Sequence, residues 1–439
     1  MSVRKTISIF ALLLLVLIVI AGGLAGFSVW SISDCEYLDD SDLYVERPAI
    51  PRFKNGYMDF EHAAGTLIIE KEENRRIIKL LSAFYSNFTG GKTFTDKAEK
   101  SGKLEEARKL LGTHPVALTM LDKGFHKPYC QVSYKLSLVD NPAELPQLVK
   151  LTRLLLLRAY IKLERGNQNG ALKDCLKAWI LGRKIQAAKG GLIHLMMGTA
   201  ISEIGMHEYM AMLAKLELND KLLKEQQIAL EKHSDINGDF VTCFKGEYES
   251  MLENSLDKYL DFEVALGEEG SLEEKTTQVL LGLNGVRRRA RNHMTLTYRE
   301  LIRRNQENYR QFKDKSDAAE LPCSIINLSL TDLSCEAMPG VYDAFMEKRF
   351  KQETRLSAAR IIVALKMYRL KHKALPENLE ELVPRYLPQL PKDPYAGGPM
   401  RFNAKDGLIY SVGSDLKDNG GRTEKESLDW KEPAFSVGM

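Results

Sequence analysis

The chain has 439 residues, enough for two or three domains. A hydrophobic content of 44% and a charged content of 28% exclude a globally disordered chain. With 62 Lys and Arg against 59 Asp and Glu, the net charge of +3 excludes a general pull on nucleic acid, and no nucleic-acid partner is expected.

In chain order, Arg4 and Lys5 come first, followed by an uncharged, mostly apolar run over residues 7–30. At about 1.5 Å per residue, such a helix crosses a hydrocarbon core of about 30 Å. Asp34, Glu36, Asp39, Asp40 and Asp42 follow on the far side, so the basic flank is expected to stay in the cytoplasm. The reading is a cytoplasmic tail at 1–6 and a transmembrane helix or signal anchor at 7–30. It implies a bacterial cell-membrane protein that crosses once, tied to the membrane through this N-terminal helix, with an extracytoplasmic body. A cleaved signal peptide is the competing reading, because Gly23 and Ala25 put small residues before a cut at Gly26.

Residues 31–60 are acidic and then punctuated by Pro48 and Pro51, a linker composition. Over 61–345 the apolar residues recur with helical period, which predicts an α-helical domain. Breaks are expected near Gly90-Gly91, Asn141-Pro142, Asn237-Gly238, residues 267–270 and Pro339-Gly340. Within this body, Ala159, Tyr160, Gly166, Ala171 and Ala178 resemble a tetratricopeptide helix pair. In such a pair, small residues let two antiparallel helices approach, and a tyrosine fills the gap. Leu157 stands at the usual glycine position and no second copy follows. The match therefore supports one helical hairpin in an irregular body rather than an array.

Residues 285–315 carry Arg287, Arg288, Arg289, Arg291, Arg303 and Arg304, with Glu300 and Glu307 among them. Tyr298, Tyr309 and Phe312 fall at helical spacing, so this reads as a solvated charged helix with one apolar stripe. The other reading is a contact with anionic lipid or an acidic partner. The six cysteines show no CxxC pair; Cys323 and Cys335 either close a small disulfide loop or stay as thiols. The eight histidines form no HExxH, and neither a GxSxG elbow nor a phosphate loop occurs. No catalytic residue and no organic-cofactor site is assigned. The expected role is a non-catalytic scaffold or interaction protein with a protein partner; the alternative is an extracytoplasmic hydrolase with its site in the helical body.

The last stretch, 346–439, reads as a small α+β domain. Ala358, Ile361, Ile362, Leu365 and Tyr368 share a helix face, and Leu375-Pro376 ends that helix. Met400 and Phe402, a turn at Asp406-Gly407, and Leu408, Tyr410 and Val412 read as a hairpin. A loop with Gly413, Asp415, Asp418, Asn419, Gly420 and Gly421 follows, with Glu424, Glu426 and Asp429 further along. Its glycines free the backbone, and its carboxylates are hard oxygen donors of the kind calcium takes.

The order Leu-Pro, Leu-Pro-x-Asp-Pro, Tyr-Ser-Val-Gly-Ser-Asp and Asp-Asn-Gly-Gly resembles the C-terminal half of the major pseudopilin of type II secretion systems. That resemblance covers about 80 residues. It implies a calcium-binding loop with Asp415 and Asp418 among the metal ligands, and a link to a type II secretion-like or surface assembly. The chain departs from the pseudopilins at its N-terminus, where Gly26-Phe27-Ser28 follows the apolar run instead of preceding it. As a whole it looks like membrane-anchored planctomycete-type proteins with helical bodies and similar tails. The fold class is then mainly α: a transmembrane helix, an irregular, tetratricopeptide-like helical body, and a pseudopilin-like α+β domain.

Overall fold

A computed structural model describes Gly23 and residues 36–90, 97–132, 142–252, 284–316, 329–421 and 433–438; at 97–98, 284–287, 315–316 and 329–341 only the backbone is described. Contacts divide the chain into two compact units. One comprises Met1–Tyr44, Tyr248–Glu300 and Glu320–Pro339; the other comprises Val45–Glu247, Leu301–Ala319 and Gly340–Met439.

The protein is mainly helical. No helix among the described residues is long and apolar enough to cross a membrane. This corrects both the expected fold class, with its transmembrane helix, and the expected single-pass location. The long described helices are interrupted by polar side chains: Arg349, Gln352, Thr354 and Lys366 are all buried along one of them. Residues 7–30, on which the anchor rested, lie outside the described residues apart from Gly23.

In the larger unit, α1 (Gly56–Gly65) starts where Asn55 accepts the Tyr57 N–H at 3.2 Å. Within the stretch of linker composition, Tyr57 and Phe60 are fully buried. Helices α2 (Lys71–Thr89), α3 (Lys97–Gly112) and α4 (Pro115–Phe125) follow. Gly90, at φ +85, ends α2 in the left-handed conformation that a side chain disfavours.

Next come α5 (Glu144–Glu164), α6 (Gln168–Gln186), α7 (Leu192–Lys215) and α8 (Asp220–Lys232). Asn167 and Asn219 cap α6 and α8 by accepting the N–H groups of Gly170 and Leu222. The α5–α6 pair is the hairpin that the tetratricopeptide-like residues pointed to. Tyr160 stacks on Phe84 of α2, ring centroids 5.7 Å apart, and its hydroxyl donates to Glu208 of α7. Helices α6 and α7 approach closely. A Cβ on Gly182 would lie 2.3 Å from the Ser202 nitrogen, and one on Gly205 would lie 2.2 Å from the Trp179 nitrogen. Only glycine permits that approach.

Helices α9 (Ile236–Met251), α10 (Asn284–Arg304), α11 (Tyr309–Ser316) and α12 (Ser329–His372) follow. The backbone of α12 runs straight through the break expected at Pro339-Gly340; a proline removes one helical N–H donor, and the helix continues on either side of it. After Pro376 come a 3-10 turn (Leu379–Leu382) and an antiparallel sheet of β1 (Arg401–Asn403), β2 (Leu408–Tyr410) and β3 (Ala434–Ser436), in the order β1-β2-β3. Arg401 faces Tyr410 and Leu408 faces Ser436. Among the described residues no strand precedes β1. Cys130, Cys175 and Cys243 are thiols; the side chains of Cys323 and Cys335 lie outside the described residues.

A polar cleft in the larger unit

Four stretches far apart in sequence meet at a cleft of about 470 Å³. They are the entry to α9 (Ser234 to Asn237), the turn into α11 (Gln306 to Gln311), the α12 face from Arg349 to Arg360, and the loop from Gln389 to Gly397.

Each stretch is fixed by polar bonds. Asp235 accepts the Gly238 N–H at 2.8 Å and so caps α9. Asn308 and Gln311 cap each other across the first turn of α11, at 3.2 and 3.0 Å. Arg349 is 3% exposed; it donates to Glu353 at 3.1 Å and to the Glu307 carbonyl at 2.7 Å, and lies 4.3 Å above the Phe350 ring. Its Nε has no hydrogen-bond partner among the described residues. In the loop, Ser357 Oγ donates to the Lys392 carbonyl at 3.0 Å, and Tyr309 N–H donates to the Pro394 carbonyl at 3.1 Å. Tyr309, Phe350 and Tyr395 pack together beneath it, with centroid distances of 4.7 to 5.9 Å.

Asp393 organises the loop. It is fully buried and accepts from Ser411 Oγ at 2.7 Å, Tyr395 N–H at 2.9 Å and Val412 N–H at 3.1 Å. A buried carboxylate needs such a full set of donors.

Burial pushes Asp239, on α9, up to about 7, against the opposing pull of Arg183, whose guanidinium pairs with it. Glu353 is also raised by burial, against the pull of Arg349. The carboxylates lining the cleft already hold partners: Gly238 on Asp235, Arg303 on Glu307, Arg349 on Glu353, and the loop on Asp393. Such groups are suited to holding shape and presenting charge of both signs. A freely titrating acid–base pair needs a different setting.

The sequence-predicted metal residues lie elsewhere, in the turn after β2. Asp415 accepts the Lys417 N–H at 3.1 Å. Asp418 is taken on both oxygens: Arg401 Nε lies 2.7 Å from one, and Gly420 N–H and Tyr410 OH donate to the other at 3.0 and 3.3 Å. The Arg401 guanidinium thus stands where a cation on Asp418 would bind. Among the described residues no group of three or more His, Cys, Asp or Glu is arranged to hold a metal ion. The remaining candidate donors of that loop, Glu424, Glu426 and Asp429, lie outside the described residues.

The sequence reading missed Arg349, Glu353 and Asp235. The four-residue spacing of Arg349 and Glu353 is a helical pairing signal, but nothing local says that it is buried. Compared with known proteins, the chain matches no family model, no curated protein and no solved structure.

Proposed function

We propose that this is a non-catalytic binding protein whose cleft receives an extended polar segment of a protein partner. One observation carries the reading: a cleft of about 470 Å³ lined by both charge signs and by amides, on elements fixed by polar bonds. That volume falls in the range of about 300–1,000 Å³ typical of ligand pockets. Amides such as Asn237, Gln306 and Gln389 offer both a donor and an acceptor, as a peptide backbone requires. On the resemblance of the C-terminal module to a pseudopilin, the partner belongs to a type II secretion-like or surface assembly.

A photo-crosslinking residue placed at Gln389 or at Gln311, both exposed at the cleft, tests this. The same adduct should form from both positions and not from Glu105, an exposed position away from the cleft. Adducts from all three positions alike, or from none, would overturn the proposal. A hydrolase reading draws on one observation, the raised carboxyl of Glu353 at the cleft wall. It is the weaker reading because Arg349 holds that carboxyl. It requires that the captured partner be cleaved, and that Glu353→Gln stop the cleavage.

A further inference from the structure

The basic helix singled out in the sequence has an occupant, and the occupant is a short acidic segment of the same unit. Arg288, Arg291, Asn292, Thr295 and Arg299 stand at i, i+3, i+4, i+7 and i+11 and so share one face of α10. Residues 36–44 lie on that face. The Asn292 side chain accepts the Leu38 N–H at 2.9 Å and donates to the Glu36 carbonyl at 2.8 Å. It therefore reads backbone on both sides of Tyr37, whatever the side chain there. Arg288 and Arg291 sit 5.0 and 5.4 Å above the Tyr37 ring.

Two carboxylates complete the pattern. Asp40 takes Arg291 through Nε at 3.0 Å and Nη2 at 2.9 Å, and Tyr248 OH donates to the same oxygen. Thr295 supports Tyr248 at 2.9 Å. Asp42 takes Arg299 Nε at 3.1 Å. The segment is half at the surface: Tyr37 is 46% exposed and Leu38 38%, while Asp40 and Leu43 are buried. Its hold is thus mainly ionic and hydrogen-bonded, the kind that salt and competing carboxylates weaken.

We propose that this face of α10 is a docking site for an acidic linear peptide, with an aromatic residue three positions before the first of two alternate aspartates. Residues 36–44 are its tethered occupant, and a partner peptide replaces them. The chemistry is specific: an amide that reads backbone, two guanidinium groups that read the ring, and paired donors that read each carboxylate. Tethering sets the competition, because a short tether gives an effective concentration in the millimolar range. An external peptide meets a site that is mostly filled, and its apparent affinity falls by the vacant fraction.

The test uses the full chain and a labelled synthetic peptide of residues 36–44, followed by fluorescence anisotropy. In the double variant Asp40→Ala with Asp42→Ala the site is vacated. The peptide should bind this variant at least about tenfold more tightly than the wild type. Adding Arg291→Glu in that background should abolish the gain, and a peptide with both aspartates changed to asparagine should not bind. If the double variant fails to fold, Tyr37→Ala with Asp42→Ala, which leaves the Asp40 contacts in place, serves instead. Equal affinity for the wild type and the vacated variant, or no binding to a folded vacated variant, would overturn the proposal.

Discussion

The α5–α6–α7 core and the C-terminal module belong to one unit but hold their shapes by different means. In the core, Leu151, Leu154, Leu155 and Leu157 are fully buried, and glycines at 182 and 205 bring two helices almost into backbone contact. The stabilising term there is apolar burial, at roughly 25 cal/mol per Å². The module has three strands of three residues each and is tied by Asp393, a buried carboxylate with three hydrogen-bond donors. The core should respond most to loss of volume, and the module to loss of its buried carboxylate.

The largest effect should come from volume in the core. Leu155→Ala should cost about 4 kcal/mol in urea denaturation, from lost burial plus the cavity left behind. Gly205→Ala should cost about 3 kcal/mol, because its new methyl has only backbone to push against. If either change costs less than about 1 kcal/mol, the seam is looser than its distances imply.

Asp393→Ala sharpens the contrast from the other side. It leaves the Val412 and Tyr395 N–H groups without their acceptor, at about 3 kcal/mol. Amide exchange should accelerate over 393–421 and stay unchanged in α6. Uniform acceleration would mean that the two regions open as one.

The core also holds one polar group whose effect depends on pH. Burial raises the Glu208 carboxyl from 4.5 to about 7, against the pull of the Tyr160 hydrogen bond. The folded state then holds a proton that the unfolded chain has released, so stability falls as pH rises from about 4.5 to about 7 and levels off above. The loss from this group is on the order of 3 kcal/mol. Glu208→Gln should be more stable than the wild type at pH 8 and similar to it at pH 4, measured by urea midpoints. A wild type as stable at pH 8 as at pH 5 would show that the carboxyl is not held in this way.

The smallest effect belongs to the turn after β2. Arg401→Ala should cost no more than about 1 kcal/mol, since its pair with Asp418 is half exposed. Millimolar calcium should leave the wild-type melting curve where a chelator leaves it. A rise of several degrees with calcium, lost in Asp415→Ala and Asp418→Ala, would show that the cation displaces Arg401.

Much of the architecture was legible in the sequence. The 3.6-residue recurrence of Leu and Ala gave the mainly helical body, Gly90 gave the end of α2, and Asp406-Gly407 gave the β1–β2 turn. These signals are local: each depends on backbone preferences or on the periodicity of one segment. β3 was missed because Ala434-Phe435-Ser436 is too short to show an alternating pattern and exists only through its pairing with β2. The expected transmembrane helix rested on residues 7–30 alone, while no helix of the described structure is apolar enough to cross a membrane.

The sequence by itself determined the helical class, the basic character of α10 and the acidic character of residues 36–44. Only the tertiary structure decided that Arg291 meets Asp40, 251 positions away, that Asp393 meets Ser411 and Val412, and that four separate stretches share one cleft. Charge and periodicity are properties of a segment. Pairing and burial are properties of two segments at once, set by which surfaces the chain can bring together while leaving few buried polar groups without partners.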